Sequence, residues 1–231
     1  MLKKISPTIK ISVILPVYNG EQYLLEAIQS VTSQNFSITE ILIVDDGSTD
    51  GTSRLIKQLD IDIPIKYYYQ ENKGPAFARN VGIKNATGDW LCFIDSDDIW
   101  PQNKIKSTLE YLNHNSEVDV LWGMTKFFFE SKELKSKYLR NEIAEEPIFN
   151  TYLGAAFFRK DVFDKVGNFD ITLTYCEDLD WYLRALEKKI RLVKTSNVGL
   201  LYRIHSNNST HNHFSLNRNL IRMLRNKINR R

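Results

Sequence analysis

Phe93-Ile94-Asp95-Ser96-Asp97-Asp98 is an apolar run that stops in three carboxylates within four positions. Crowding like charges costs free energy unless a cation sits among them. Hard divalent cations such as Mg2+ and Mn2+ prefer oxygen ligands and are often held by one or two carboxylates plus substrate phosphates. A D-x-D pair at a strand end offers one carboxylate to such a metal and another to a ribose or sugar hydroxyl. The plainer reading is a turn with helix-capping aspartates ahead of Pro101, and the tetrapeptide alone leaves both open.

Other segments could join it. Val44-Asp45-Asp46-Gly47-Ser48-Thr49-Asp50-Gly51 places two carboxylates after an apolar run, where they can accept N–H donors from a base. It is equally a turn with Ser48 or Thr49 as a cap. Glu177 and Asp178 open an amphipathic segment, where the helix dipole favours acids and depresses their basicity. No G-x-x-x-x-G-K-[ST] and no G-x-G-x-x-G is present, so phosphate charge falls to a metal rather than a glycine loop.

These residues need a scaffold, and the first hundred positions supply an alternating one. The strand "IKISVILPV" is followed by a helix with Leu24, Ala27, Ile28 and Val31 on one face. "EILIVDD", "IKYYYQE" and "DWLCFID" read as further strands, with helices from about Gly51 to Leu59, from Pro75, and from Pro101 to about Asn113. This is a βαβ array with a mostly parallel central sheet, an α/β fold whose ligands sit at the carboxyl ends of the strands. Those ends read Pro16-Val17-Tyr18-Asn19, Asp45-Asp46 and Asp95-Ser96-Asp97-Asp98.

The second half is less regular. Residues 117–130 read as a long strand and the charged stretch 131–147 as a mobile connection. After a strand, a short helix and a turn, "EDLDWYLRALEKK" is a helix with Leu179, Tyr182, Leu183 and Leu186 on its apolar face. Residues 191–210 give one or two short strands and a loop. Trp100, Trp181 and Tyr182 have the shape to stack on a sugar ring, although such aromatics usually build core.

The chain has 231 residues and a formal net charge of +3, too small to argue for nucleic acid. Two cysteines, Cys92 and Cys176, make neither a disulfide framework nor a metal-ligand spacing, which fits a reducing, cytoplasmic setting. No stretch approaches the length of a membrane span. Beyond Glu187 there is no Asp or Glu, and the segment 211–231 has Leu216, Leu220, Leu224 and Ile228 on one helical side and Arg218, Arg222 and Arg225 on the other. Two readings stay open: a helix lying on the inner face of an anionic membrane, and a terminal helix docked on its own domain.

Seven blocks, "SVILPVYNGEQYLLEAIQSVTSQ", "EILIVDDGSTDGT", "NKGPAFARNVGI", "FIDSDDIW", "GAAFFRKDVFDKVGNFD", "EDLDWYLRA" and "YRIHSNNST", resemble in order the inverting family-2 glycosyltransferases of the GT-A fold. The resemblance runs from about Ile11 to Thr210. It implies one GT-A domain over 1–210, with a nucleotide-sugar half at about 11–100 and an acceptor half at 101–210. It implies that Pro16, Val17, Tyr18, Asn19, Asp45, Asp46, Arg79, Asp95 and Ser96 bind the nucleotide. Asp97 and His205 would hold Mn2+ or Mg2+, with Asp98 nearby. Asp178 would be the general base, with Asp180 as the alternative, and Glu177 and Trp181 would serve the acceptor. The expected donor is a nucleotide-diphosphate sugar, a UDP sugar in the first place, and the acceptor a carbohydrate or a lipid-linked hydroxyl. One hexosyl or N-acetylhexosaminyl unit would move at a time, in polysaccharide or glycolipid synthesis. A non-catalytic nucleotide-sugar-binding protein at the membrane and a nucleotidyltransferase are the rival readings.

Overall fold

The structure is a computed structural model and describes residues 9–139, 146–208 and 213–229. Its strands are β1 (Ile11–Val17), β2 (Glu40–Asp45), β3 (Ile65–Tyr69), β4 (Trp90–Phe93), β5 (Val120–Phe129), β6 (Ala156–Arg159) and β7 (Leu192–Ile204). Its helices are α1 (Leu24–Thr32), α2 (Thr52–Lys57), α3 (Pro75–Asn85), α4 (Lys104–His114), α5 (Lys132–Leu139), α6 (Val162–Val166), α7 (Glu177–Glu187) and α8 (His213–Asn229). The strands form one seven-stranded sheet in the order β3-β2-β1-β4-β6-β5-β7.

β1 and β2 are buried at every position, the mark of parallel strands covered on both faces. β3, β2, β1 and β4 run parallel, β6 is antiparallel to both its neighbours, and β7 is parallel to β5. α1 buries Leu24, Ala27, Ile28 and Val31 as its periodicity predicts, each large side chain worth about 1.5–3 kcal/mol of burial. α3 lies close on β1, because a Cβ at Gly82 would come 2.3 Å from Ile14 Cγ2.

The register sets the ligand edge. Val17 pairs with Asp45 and Ile14 with Phe93, so β1 and β2 end level while β4 stops three residues earlier and the acidic turn after it runs on beside the end of β1. The acceptor half is fastened to the same sheet from below α4. The buried Lys104 ammonium donates to the Gly154 carbonyl at 2.5 Å and the Gly199 carbonyl at 2.9 Å, and sits over the Trp100 ring.

Several expectations are corrected. The connection at 131–147 contains helix α5 over Lys132–Leu139, and residues 140–145 lie outside those described. The one or two short strands expected within 191–210 are a single strand of 13 residues, β7, which shifts register opposite Trp122 to Thr125. α7 turns a different face inward. Asp180, Trp181 and Ala185 are buried while Leu186 is 47% exposed. The cost of burying Asp180 is offset by Arg184, whose Nε donates to it at 2.8 Å.

The tail helix is docked, and not by its leucines. Asn219 and Met223 are buried, Asn219 exchanges hydrogen bonds with Thr174, and Asn226 donates to Asp170. Leu224 and Ile228 face outward, Leu220 is half-buried, and the Leu216 side chain lies outside the described residues.

Candidate active site

The first sub-site lies at the ends of β1 and β2. Asp45 accepts the Ser48 amide at 2.8 Å and the Tyr67 hydroxyl at 2.8 Å, and it is fully buried. Asp46 accepts the Gln70 side-chain amide at 2.6 Å and the Lys73 and Gly74 amides at 2.8 Å each. Both carboxylates therefore fold the loops that frame the edge. Gly47, at φ +82°, permits the turn between them, since a Cβ there would stand 2.8 Å from the Asn72 nitrogen. Asn19 takes the left-handed conformation at φ 52° and its carbonyl oxygen accepts the Thr49 amide at 2.7 Å. Tyr18 is left 52% exposed beside it.

The second sub-site is the turn after β4. Ile94 N–H donates to the Ile14 carbonyl at 3.1 Å, which prolongs the β4 pairing and aims the following aspartates out of the sheet end. Asp98 is buried and accepts the Arg203 amide at 3.0 Å. Burial, then Asp97 and Asp95, push its carboxyl well above the usual range. Arg203 also donates from Nε to the Asp97 carbonyl at 2.9 Å and from Nη2 to Glu26 at 2.5 Å, between the rings of Tyr23 and Phe128. This arginine, at the end of β7, holds the acidic turn in place. Sequence reasoning missed it, although Tyr202-Arg203-Ile204-His205 lay inside a quoted block.

Asp97 Oδ2 and His205 Nε2 face each other at 3.0 Å, with the Asp97 side chain 32% exposed and the imidazole 7% exposed. An oxygen and an imidazole nitrogen are a donor pair suited to Mn2+ and, with phosphate oxygens added, to Mg2+. The charge balance agrees. Among the described residues, Asp95, Glu177 and Asp178 gather around the Arg79 guanidinium, and Asp98 with the Asp97 carbonyl around that of Arg203, which leaves an excess of negative charge. No group of three or more protein ligands is found among the described residues, so a cation there would draw further ligands from a substrate.

The third sub-site is the first turn of α7. Cys176 precedes it in the left-handed conformation at φ 65°, a strained state for a non-glycine residue that turns the chain into the helix. Glu177 is buried against Arg79, whose other terminal nitrogen donates to Asp95 at 2.7 Å. Arg79 Nε is buried with no hydrogen-bond partner among the described residues. The Arg79 guanidinium is enclosed between these two carboxylates. Asp178 keeps some access to the cleft, yet protein atoms replace most of its hydration. That burial, with Glu177 alongside, pushes its carboxyl up to about 7.

One aromatic changes place relative to expectation, and another that was not expected lies near the site. Trp181 is 0% exposed among Phe158, Phe163 and Phe169, and its Nε1 donates to the Gly167 carbonyl at 3.0 Å; it is core rather than an acceptor contact. Tyr152, singled out by no motif, stacks on Tyr202 with centroids 4.6 Å apart. Burial, then Asp178, Asp98 and Asp95, push its phenol up to about 12, so it stays a neutral hydroxyl.

The family described as Glycosyl transferase family 2 matches residues 12–173. An uncharacterized glycosyltransferase of Rickettsia conorii is 47% identical over 116 residues, 50% of this chain and 19% of that protein. Another, of Rickettsia typhi, is 32% identical over 187 residues, 76% of this chain and 58% of that protein. The chain thus spans less than two thirds of the length of these relatives. Among solved structures, S. aureus TarS 1-349 in complex with UDP-GlcNAc is 25% identical with a TM-score of 0.72, over 88% of this chain and 61% of that one. The mannosyltransferase PcManGT of Pyrobaculum calidifontis, in complex with GDP-Man and Mn2+, has a TM-score of 0.72 at 20% identity, over 95% of this chain and 64% of that one, a likeness of fold.

Proposed function

The chain belongs to glycosyl transferase family 2, and we propose that it moves one sugar, with inversion, from a nucleotide-diphosphate sugar to an acceptor hydroxyl. The observation that carries this is the Arg79 bridge. By bonding Asp95 and Glu177 it brings the acidic end of β4 and the first turn of α7 into one cleft. A diphosphate site and a proton acceptor then flank the same space.

The nucleobase and ribose lie against Pro16 to Asn19, on the loops that Asp45 and Asp46 hold, with Asp95 and Ser96 beneath the ribose. Asp97 and His205 would hold a divalent cation, which when bound supplies charge neutralisation for the departing diphosphate. The acceptor oxygen attacks the anomeric carbon from the opposite face. Its proton passes to Asp178, and the bond from the anomeric carbon to the diphosphate oxygen breaks in the same displacement. A carboxyl near 7 suits that task, because a substantial share is ionised at neutral pH and that share is basic enough to take the proton. Glu177 is spent on Arg79 and Asp180 on Arg184, so neither competes for it.

The TarS complexes with UDP and UDP-GlcNAc, at 26% and 25% identity, support a UDP sugar and an N-acetylhexosaminyl or hexosyl group. The acceptor is a carbohydrate or lipid-linked hydroxyl of a surface polysaccharide or glycolipid. Calorimetric titration of UDP and GDP, with and without Mn2+, into the wild type and Asp97→Asn tests the donor site. Mn2+-dependent UDP binding that Asp97→Asn loses supports the reading. GDP preference replaces the donor and keeps the chemistry. Binding of neither by folded protein overturns it, and binding without any turnover favours a non-catalytic nucleotide-sugar receptor.

A further inference from the structure

α8 is held to the domain along one side only. Asn219 and Met223 are buried, Asn226 donates to Asp170 at 3.2 Å, Arg222 donates to the Thr172 carbonyl at 2.9 Å, and Lys227 stands 3.9 Å from Glu187. At about 100° per residue these positions occupy one arc of the helix. Ile221, Leu224 and Ile228 occupy the opposite arc, and they are 54%, 45% and 70% exposed. Arg218 and Arg225, both exposed, run along one border of that apolar strip.

Three large apolar side chains turned to water on one arc of a helix are more than scattered exposure, since the docked arc, with Met223 and two asparagines, leaves them out. The charge around the strip has one sign. No Asp or Glu follows Glu187 in the sequence, and among the described residues the carboxylates seen against α8, Asp170 and Glu187, meet its docked side. An apolar strip bordered by arginines on a helix lying flat along the domain matches the plane of an anionic bilayer. There the isoleucines enter the acyl boundary and the guanidiniums meet lipid phosphates. A polyanion without an apolar phase would leave the strip uncovered.

We propose that the outward face of α8 docks this protein on the surface of an anionic lipid membrane. The docked reading and the membrane reading of the tail thus both hold, on opposite sides of one helix.

The test is co-sedimentation of the full chain with phosphatidylcholine vesicles, with and without phosphatidylglycerol. The wild type is expected to sediment with the anionic vesicles only, and less as salt rises. Arg218→Gln with Arg225→Gln should weaken this about 30-fold, taking each guanidinium at an anionic surface as about a fivefold gain. Ile221→Ser with Ile228→Ser, which keeps every charge, should abolish it. All four positions are exposed, so melting temperatures should hold. No sedimentation with anionic vesicles, or sedimentation that both double variants retain, overturns the proposal. So does a dimer, seen by light scattering, that the isoleucine variants disperse, since a second copy would then cover the strip. Nucleotide titration on the same samples reads the donor site separately.

Discussion

Arg79 Nη2 lies 2.7 Å from Asp95 Oδ1, the guanidinium nearly enclosed and the carboxylate 42% exposed. The pair joins a group that must stay fixed to one that must meet substrate. Arg79 can hold Asp95 and Glu177 together because its planar fork presents separate donors, which a lysine ammonium cannot match. Arg79→Met leaves Glu177 buried and unpaired, and should lower the unfolding free energy by about 3–5 kcal/mol. Adding Glu177→Leu should recover much of that in urea titrations. Arg79→Lys should keep most stability and lose transfer, because the two sub-sites are no longer in register.

Glu40 performs a purely structural version of the same clamp. It is 3% exposed and accepts Ser12 Oγ at 2.6 Å, Thr87 N at 2.6 Å, Thr87 Oγ1 at 2.8 Å and the Lys66 ammonium at 2.6 Å. One side chain thereby ties β1, β2, β3 and the approach to β4 at the end of the sheet remote from the site. Burial alone would raise its carboxyl, but Lys66, Ser12 and Thr87 outweigh it and bring it down to about 2. A depressed carboxyl binds fewer protons folded than unfolded, so its stabilisation is complete above about 4.5 and lost as pH falls toward about 2. Glu40→Gln should cost about 2 kcal/mol at neutral pH, discounting the partly exposed lysine, and almost nothing near the acid end. Thermal melts across that range check both.

The N-terminal half was legible because its strands are buried on both faces and read as unbroken apolar runs. The ligand edge followed from where those runs stop. α7 was placed but faced wrongly, because periodicity treats Asp180 as a surface residue and cannot see that Arg184 one turn later makes it buriable. The docked tail was one of two readings left open, but its inward face was not legible, because Asn219 and Asn226, which anchor it beside Met223, carry no apolar signal. Arg203 and Tyr152 act through partners more than 25 positions away in sequence, among them Glu26 and Tyr202, and no local pattern announces such contacts.

Tyr152 offers a direct test of a residue the motifs did not name. Its ring is fixed by Tyr202 and by the Phe127 edge, and Asp178, Asp98 and Asp95 act on its phenol electrostatically. Tyr152→Phe keeps the stacking and should leave stability within about 1 kcal/mol. If the hydroxyl orients a sugar, transfer should fall roughly 10- to 100-fold with UDP affinity unchanged. Tyr152→Ala should cost about 2–4 kcal/mol through lost packing. Wild-type turnover in the phenylalanine variant would reduce Tyr152 to core.

Asp178 carries opposite consequences for activity and stability. Its carboxyl is raised by burial and by Glu177 to about 7, so the folded protein binds its proton more tightly than the unfolded chain does. Ionising it therefore destabilises the fold, absent near pH 3.8 and growing as pH rises through about 7. Asp178→Asn removes that penalty and should raise the unfolding free energy at mildly alkaline pH by roughly 1–3 kcal/mol. The same substitution should cut transfer by roughly 10²- to 10⁴-fold while leaving nucleotide binding in place. In the wild type, turnover should climb with pH through a single ionisation on the acid side and then level. A variant that is both more stable and inactive would mark Asp178 as a group kept for chemistry at the expense of the fold. A variant that stays active would pass the role of base to another group.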